Sequence, residues 1–129
     1  MSRSLTILLI IVLFLSCQKR KDCDSNSTTI IGTWNWQKSV GGLGGGTNTP
    51  ETTGEKITIL ITADSIYKEY LNNSLITESK FVSTLDTSIN LPYLNFNGMM
   101  DLTYQLVDCN NLILTDRAAD GYTNYYKRK

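Results

Sequence analysis

Lys56-Ile-Thr-Ile-Leu-Ile-Thr62 alternates strictly, with Ile57, Ile59 and Ile61 on one side of an extended chain and Thr58, Leu60 and Thr62 on the other. Such period-two patterning in β-branched residues predicts a half-buried strand, because helical apolar positions recur every three or four residues. The same reading extends both ways along the chain. Thr33-Trp-Asn-Trp-Gln-Lys38 sets Trp34 and Trp36 on one side, and Asp101-Leu-Thr-Tyr-Gln-Leu-Val107 does the same for Leu102, Tyr104 and Leu106. Asn111-Leu-Ile-Leu-Thr115 and Tyr122-Thr-Asn-Tyr-Tyr-Lys-Arg128 complete the run. Turn-forming residues fall at Ala63-Asp64-Ser65, Asn72-Asn73, Asn97-Gly98, Asp108 to Asn111 and Asp120-Gly121. Asn-Gly and Asp-Gly steps supply the positive φ angles of tight hairpins. No stretch after the first segment carries convincing amphipathic-helix spacing. The chain reads as all-β: about eight short antiparallel strands in up-and-down order, closed into a small barrel because closure removes exposed edges.

One connection is longer than the rest. Gly41-Gly-Leu-Gly-Gly-Gly46 runs on through Pro50 to Gly54 after the first strand. Its glycines do not form a phosphate cradle, since no Lys-Ser/Thr follows and no helix opens. A mobile loop is one reading, and a flap over the open end of the barrel, carried by Gly41, Gly46, Pro50 and Gly54, is the other.

The first residues read as a processing signal. Arg3 precedes Leu5-Thr-Ile-Leu-Leu-Ile-Ile-Val-Leu-Phe-Leu15, a run of eleven residues. That length suits the apolar region of a signal peptide and is too short for a membrane-spanning helix. The run ends in Phe14-Leu15-Ser16-Cys17, which resembles a bacterial lipobox. Cleavage before Cys17 and lipid on its sulfur are expected. The alternative is a signal anchor, favoured by Lys19-Arg20-Lys21, since basic residues there resist translocation. The organisation is therefore read as signal peptide 1–16, lipidated tether 17–28 and β-barrel domain 29–129. Each buried CH₂ of an acyl chain contributes about 0.8 kcal/mol, so two or more chains make the anchor durable.

Composition narrows the chemistry. Twelve basic residues balance twelve acidic ones and there is no histidine. No clustered basic face calls for nucleic acid. Without histidine, the commonest general base and the commonest transition-metal ligand are both missing. No Gly-x-Ser-x-Gly turn occurs, and no carboxylate spacing singles out a calcium or acid–base site. An enzyme is not expected, and no metal or cofactor is implied. With Cys17 lipidated, Cys23 and Cys109 remain as a candidate disulfide in an oxidising compartment. Asp64-Ser65-Ile66 matches a short O-glycosylation pattern, although turn chemistry explains Ser65 without a sugar.

Gly32-Thr33-Trp34 resembles the Gly-x-Trp motif of the lipocalin and calycin superfamily. Taken with Ile31-Gly-Thr-Trp-Asn-Trp, Thr49-Pro-Glu-Thr-Thr-Gly54, Tyr67-Lys-Glu-Tyr-Leu-Asn-Asn and Asp120 to Arg128, the chain resembles small lipocalin-like lipoproteins of Bacteroidetes-type bacteria. The resemblance implies an up-and-down barrel with a long first loop beside its open end. It also implies that Arg128 of the last strand stacks on Trp34 of the first, with Gly32 beside them, in a structural role. It does not fix a function.

Two functions follow from these readings. One is a lipid-anchored module that binds a small apolar ligand or an envelope protein. The other is an accessory lipoprotein whose barrel is filled by Trp34, Trp36, Phe81, Tyr104 and Leu106 and whose outer surface acts. The residues after Cys17 are basic, unlike acidic surface-export signals, and no aspartate follows the cysteine to retain it at the inner membrane. The expected location is the outer membrane, facing the periplasm. Protease added to intact cells should leave the domain uncut; digestion there would place it on the cell surface.

Overall fold

The computed structural model describes residues 29–98 and 101–129. The expected signal peptide and tether, with Cys17 and Cys23, lie outside the described residues. Within them the chain forms β1 (Gly32–Gly41), β2 (Gly46–Asn48), α1 (Pro50–Thr53), β3 (Ile57–Ile61), β4 (Ile66–Leu71) and β5 (Ser74–Lys80). It continues through β6 (Val82–Asp86), β7 (Leu91–Asn95), β8 (Leu102–Asp108), β9 (Asn111–Asp116) and β10 (Tyr122–Arg128). All ten strands belong to one sheet, in the order β5-β4-β3-β1-β10-β9-β8-β7-β6 with β2 as a side branch on β1. Every ladder in it is antiparallel.

The fold is all-β, but the expected closed barrel of eight strands does not form. The sheet curls into a half-barrel whose edges are β5 and β6. The reason is covalent. Phe81 alone separates Lys80 from Val82, whereas a hairpin reversal takes at least about two residues. Strands β5 and β6 therefore follow one another and cannot pair. Side chains meet across the curl instead: the Phe96 ring, just after β7, meets Tyr67 of β4 at 5.4 Å and Phe81 of the joint at 6.2 Å, both edge-on. Each such pair contributes about 0.5–1.5 kcal/mol beyond its burial.

The inner face holds the core. Trp34, Ile59, Ile61, Leu94 and Leu112 are fully buried, with Trp36, Leu114 and Tyr126 close behind. Ile57, Tyr104 and Leu106 pack against them partly buried. Three register shifts add curl: Gln37 of β1, Ile76 of β5 and Val107 of β8 are each left over between paired neighbours. An extra residue bends its strand and raises local twist. It also changes parity, so Ser39 and not Lys38 follows Trp36 inward, accepting the Trp36 indole N–H at 2.8 Å.

Beside the start of β1, Arg128 of β10 ties several segments together. Its guanidinium carbon stands 4.0 Å from the Trp34 ring centroid. Nε donates to the Cys109 carbonyl at 2.7 Å, Nη1 to that of Ile31 at 2.9 Å and Nη2 to that of Thr29 at 2.6 Å. Gly32 has φ +140°, and a Cβ there would sit 2.7 Å from Nη1. Only glycine leaves room for this fork.

Charged hydrogen bonds contribute about 1.5–3 kcal/mol each but are not additive. We expect Arg128→Ala to cost about 2–3 kcal/mol in all, lowering Tm by roughly 10–20 °C for a domain of this size. Arg128→Lys should recover little, because an ammonium cannot reproduce the planar fork. Thermal unfolding followed by circular dichroism checks both, and a lysine variant as stable as the parent would refute the fork.

Candidate functional site

The interior is not filled. A cavity of about 330 Å³ opens inside the curl, walled by β1, β3, β4 and β5 on one side and by β8, β9 and β10 on the other. Its apolar surface comes from Trp36, Ile57, Phe96, Leu102 and Leu114. Its polar surface comes from Glu69, Thr77, Ser79, Asp116 and Asn124, with Tyr67 and Tyr126 contributing rings and hydroxyls. Trp36, named among the residues that would fill the barrel, lines this cavity, whereas Trp34 is fully buried and Phe81 and Tyr104 line a different hollow.

Local structure sets each polar group. Period two along β4 puts Glu69 on the same face as buried Tyr67, whose hydroxyl donates to Glu69 Oε2 at 3.1 Å. Asp116 ends β9, and its Oδ2 accepts the Tyr122 amide at 3.0 Å across the turn into β10. Gly121 in that turn does not have positive φ; a Cβ on it would fall 2.6 Å from Asp116 Cβ and 2.8 Å from the Asp116 carbonyl. Close approach, not backbone handedness, requires the glycine. Asn124 Oδ1 accepts the Ser39 hydroxyl at 2.5 Å, so a chain of hydrogen bonds runs from the Trp36 indole to the cavity wall.

The long connection is more ordered than a free loop. Strand β2 folds back on β1, with Gly46 opposite Gly41. Thr49 caps α1 in a reciprocal pair with Thr52, Pro50 begins the turn, and Gly54 ends it in the left-handed region at φ 74°. Asn48 and Thr53 from this segment line a second hollow of about 320 Å³, which shares Trp36, Ile57, Asp116 and Asn124 with the first. Gly41, Gly46, Pro50 and Gly54, read as a flap, belong to this short hairpin and capped helical turn, and none of the four lines either hollow.

The other residues singled out from the sequence lie away from this site. Gly32, Trp34 and Arg128 meet beside the start of β1, and Cys109, whose carbonyl Arg128 binds, is disulfide-bonded. The expected pairing of Cys109 with Cys23 involves a residue outside the described range. A separate hollow of about 380 Å³ lies near them, lined by Thr29 to Ile31, Phe81 and Tyr104 among others, and shares no residue with the main cavity.

Electrostatically the cavity is one-sided. Glu69 and Asp116 face it, and no Lys or Arg lines it. Burial pushes the Glu69 carboxyl above the ordinary carboxylate range, opposed by the Tyr67 hydrogen bond. Burial raises the Tyr126 phenol too, helped by the negative charges of Glu69 and Asp116. Among the described residues no group of three His, Cys, Asp or Glu could hold a metal ion. Nor is any helix among them long and apolar enough to cross a membrane.

Comparison with family models, with curated proteins and with solved structures gives no match.

A raised carboxyl pKa has a definite sign in stability. The native state holds the Glu69 proton more tightly than the unfolded chain, so stability falls as pH rises from the ordinary carboxyl range through the raised one. Glu69→Gln removes that loss. Its Tm relative to the parent should be higher at about pH 7 than at about pH 3, where the parent carboxyl is protonated in both states. Differential scanning calorimetry at the two pH values checks this; an equal difference at both would refute the burial of a charged Glu69.

Proposed function

We propose that the chain is an envelope lipoprotein of the lipocalin-like kind, anchored through lipid on Cys17 at the outer membrane, and that its half-barrel binds one small, largely apolar molecule in the cavity. The observation that carries this reading is the cavity of about 330 Å³ inside the curled sheet. Its size lies in the range of small-molecule sites, and its mixture of apolar wall with a few convergent polar groups is what such sites use. The lipocalin-like reading is supported by Gly32-Thr-Trp34 on β1, by the Arg128–Trp34 stack and by the up-and-down strand order.

An accessory role through the outer surface has its own support. Strand β6 is exposed along most of its length, and Val82, Leu85, Ile89 and Val107 are all more than half exposed. Exposed apolar side chains along a sheet edge are candidates for contact with a partner.

One experiment separates the two. A neutral fluorophore, N-phenyl-1-naphthylamine, should brighten on binding the parent chain. Thr77→Trp, which fills the cavity from edge strand β5, should abolish the response while thermal unfolding stays cooperative. Brightening unchanged by Thr77→Trp would place the probe on the outer surface and favour the accessory reading. For the anchor, Cys17→Ser should shift the chain from the membrane fraction to the soluble one, and continued membrane retention would favour a signal anchor.

A further inference from the structure

The polar side of the cavity is rich in acceptors and carries no cation. Ionised carboxylates accept hydrogen bonds only, at about four lone-pair sites each. Among the described residues Glu69 has one donor, the Tyr67 hydroxyl, and Asp116 has one, the Tyr122 amide on Oδ2. Tyr126 adds an independent feature. Only 7% of it is exposed, it lines the same cavity, and its hydroxyl makes no hydrogen bond among the described residues. Since no buried side-chain polar atom among the described residues lacks a partner, this hydroxyl is open to the hollow, where an entering molecule can reach it.

Resting on the binding reading above, we propose that the ligand is an amphipathic amine, its protonated amino group held by Glu69 and Asp116 with the Tyr126 hydroxyl. Its apolar body lies against Trp36, Phe96 and Leu114. A primary ammonium brings three N–H donors, one positive charge and no acceptor, which matches two carboxylates and a phenol oxygen. An anionic ligand would meet two like charges with no cation in the lining, and a wholly apolar one would bury the carboxylates unpaired. A bare divalent cation is poorly served, since calcium takes about six to eight oxygens.

The proton affinity of Glu69 agrees with this geometry. Its carboxyl is raised by burial, and an ammonium beside it would favour the charged form. Amine affinity should therefore weaken as pH falls through that raised range.

Three probes with one ring and one chain length test the head group: 3-phenylpropylamine, 3-phenylpropan-1-ol and 3-phenylpropionate. They are titrated into the full chain held in nanodiscs, with empty nanodiscs as reference. The amine should bind at least about tenfold more tightly than the alcohol, and the acid should bind more weakly than both. Glu69→Gln should cost the amine about tenfold and leave the alcohol within about twofold. If the alcohol or the acid binds as tightly as the amine, or Glu69→Gln weakens amine and alcohol alike, the amine assignment is wrong and the cavity reading stands. If none of the three binds, both are wrong.

Discussion

The pairing of β1 with β10 holds the sheet together. These are the first and last long strands, and their seven matched residues, from Trp34 opposite Arg128 to Gly41 opposite Tyr122, join two halves that share no other ladder. On one side lie β3, β4 and β5; on the other lie β9, β8, β7 and β6. Opening that ladder would leave two small sheets, neither able to bury its apolar face alone. The contact is reinforced where it is most needed, at its terminal residue. Arg128 cannot slip along β1 without leaving the Trp34 ring and the carbonyls of Thr29, Ile31 and Cys109.

What closes the other side of the half-barrel is weaker and less directional. Backbone hydrogen bonds would fix β5 against β6, but a single-residue joint forbids them, and the Tyr67–Phe96–Phe81 rings stand in their place. Rings can slide by fractions of an ångström that a ladder would not permit. The cavity lies between the two: Tyr67 and Phe96 of the ring cluster line it, and so do Trp36, Asn124 and Tyr126 of the β1–β10 pair.

Strands that bury one whole face are legible in the amino-acid order. Ile57 to Ile61 and Asn111 to Thr115 alternate because each contributes two or more residues to the core. Edges are not legible: Ser74–Lys80 and Val82–Asp86 bury almost nothing, so no period emerges and their extent is invisible. Most turns are legible through Asn and Gly, with positive φ at Asn72, Asn73, Asn97 and Gly98, whereas Asn90 closes a turn that carries no glycine signal. The flap residues and the Trp34–Arg128 pair could be located from motif order. Tyr126 could not, because its place in the cavity depends on standing opposite Trp36 across a bulged ladder. Asp116 was hidden by its second role, for turn chemistry explains it fully until the cavity is seen. Glu69 left the clearest trace, a carboxylate in phase with Tyr67 on a face that otherwise turns inward.

That trace has an energetic meaning. An inward carboxylate without a cationic partner is unfavourable, since burial disfavours its charged form. The simplest repair would be an apolar residue at position 69, which would pack against Tyr67 and extend the core. The chain instead keeps a carboxylate there, a second at position 116, and a phenol between their fields that makes no hydrogen bond among the described residues. Where local rules of packing are broken together at one place, the compensation is sought outside the folded chain. Two carboxylates with acceptor sites to spare and a phenol around a single hollow are more economically explained by one entering molecule than by three separate accidents of packing.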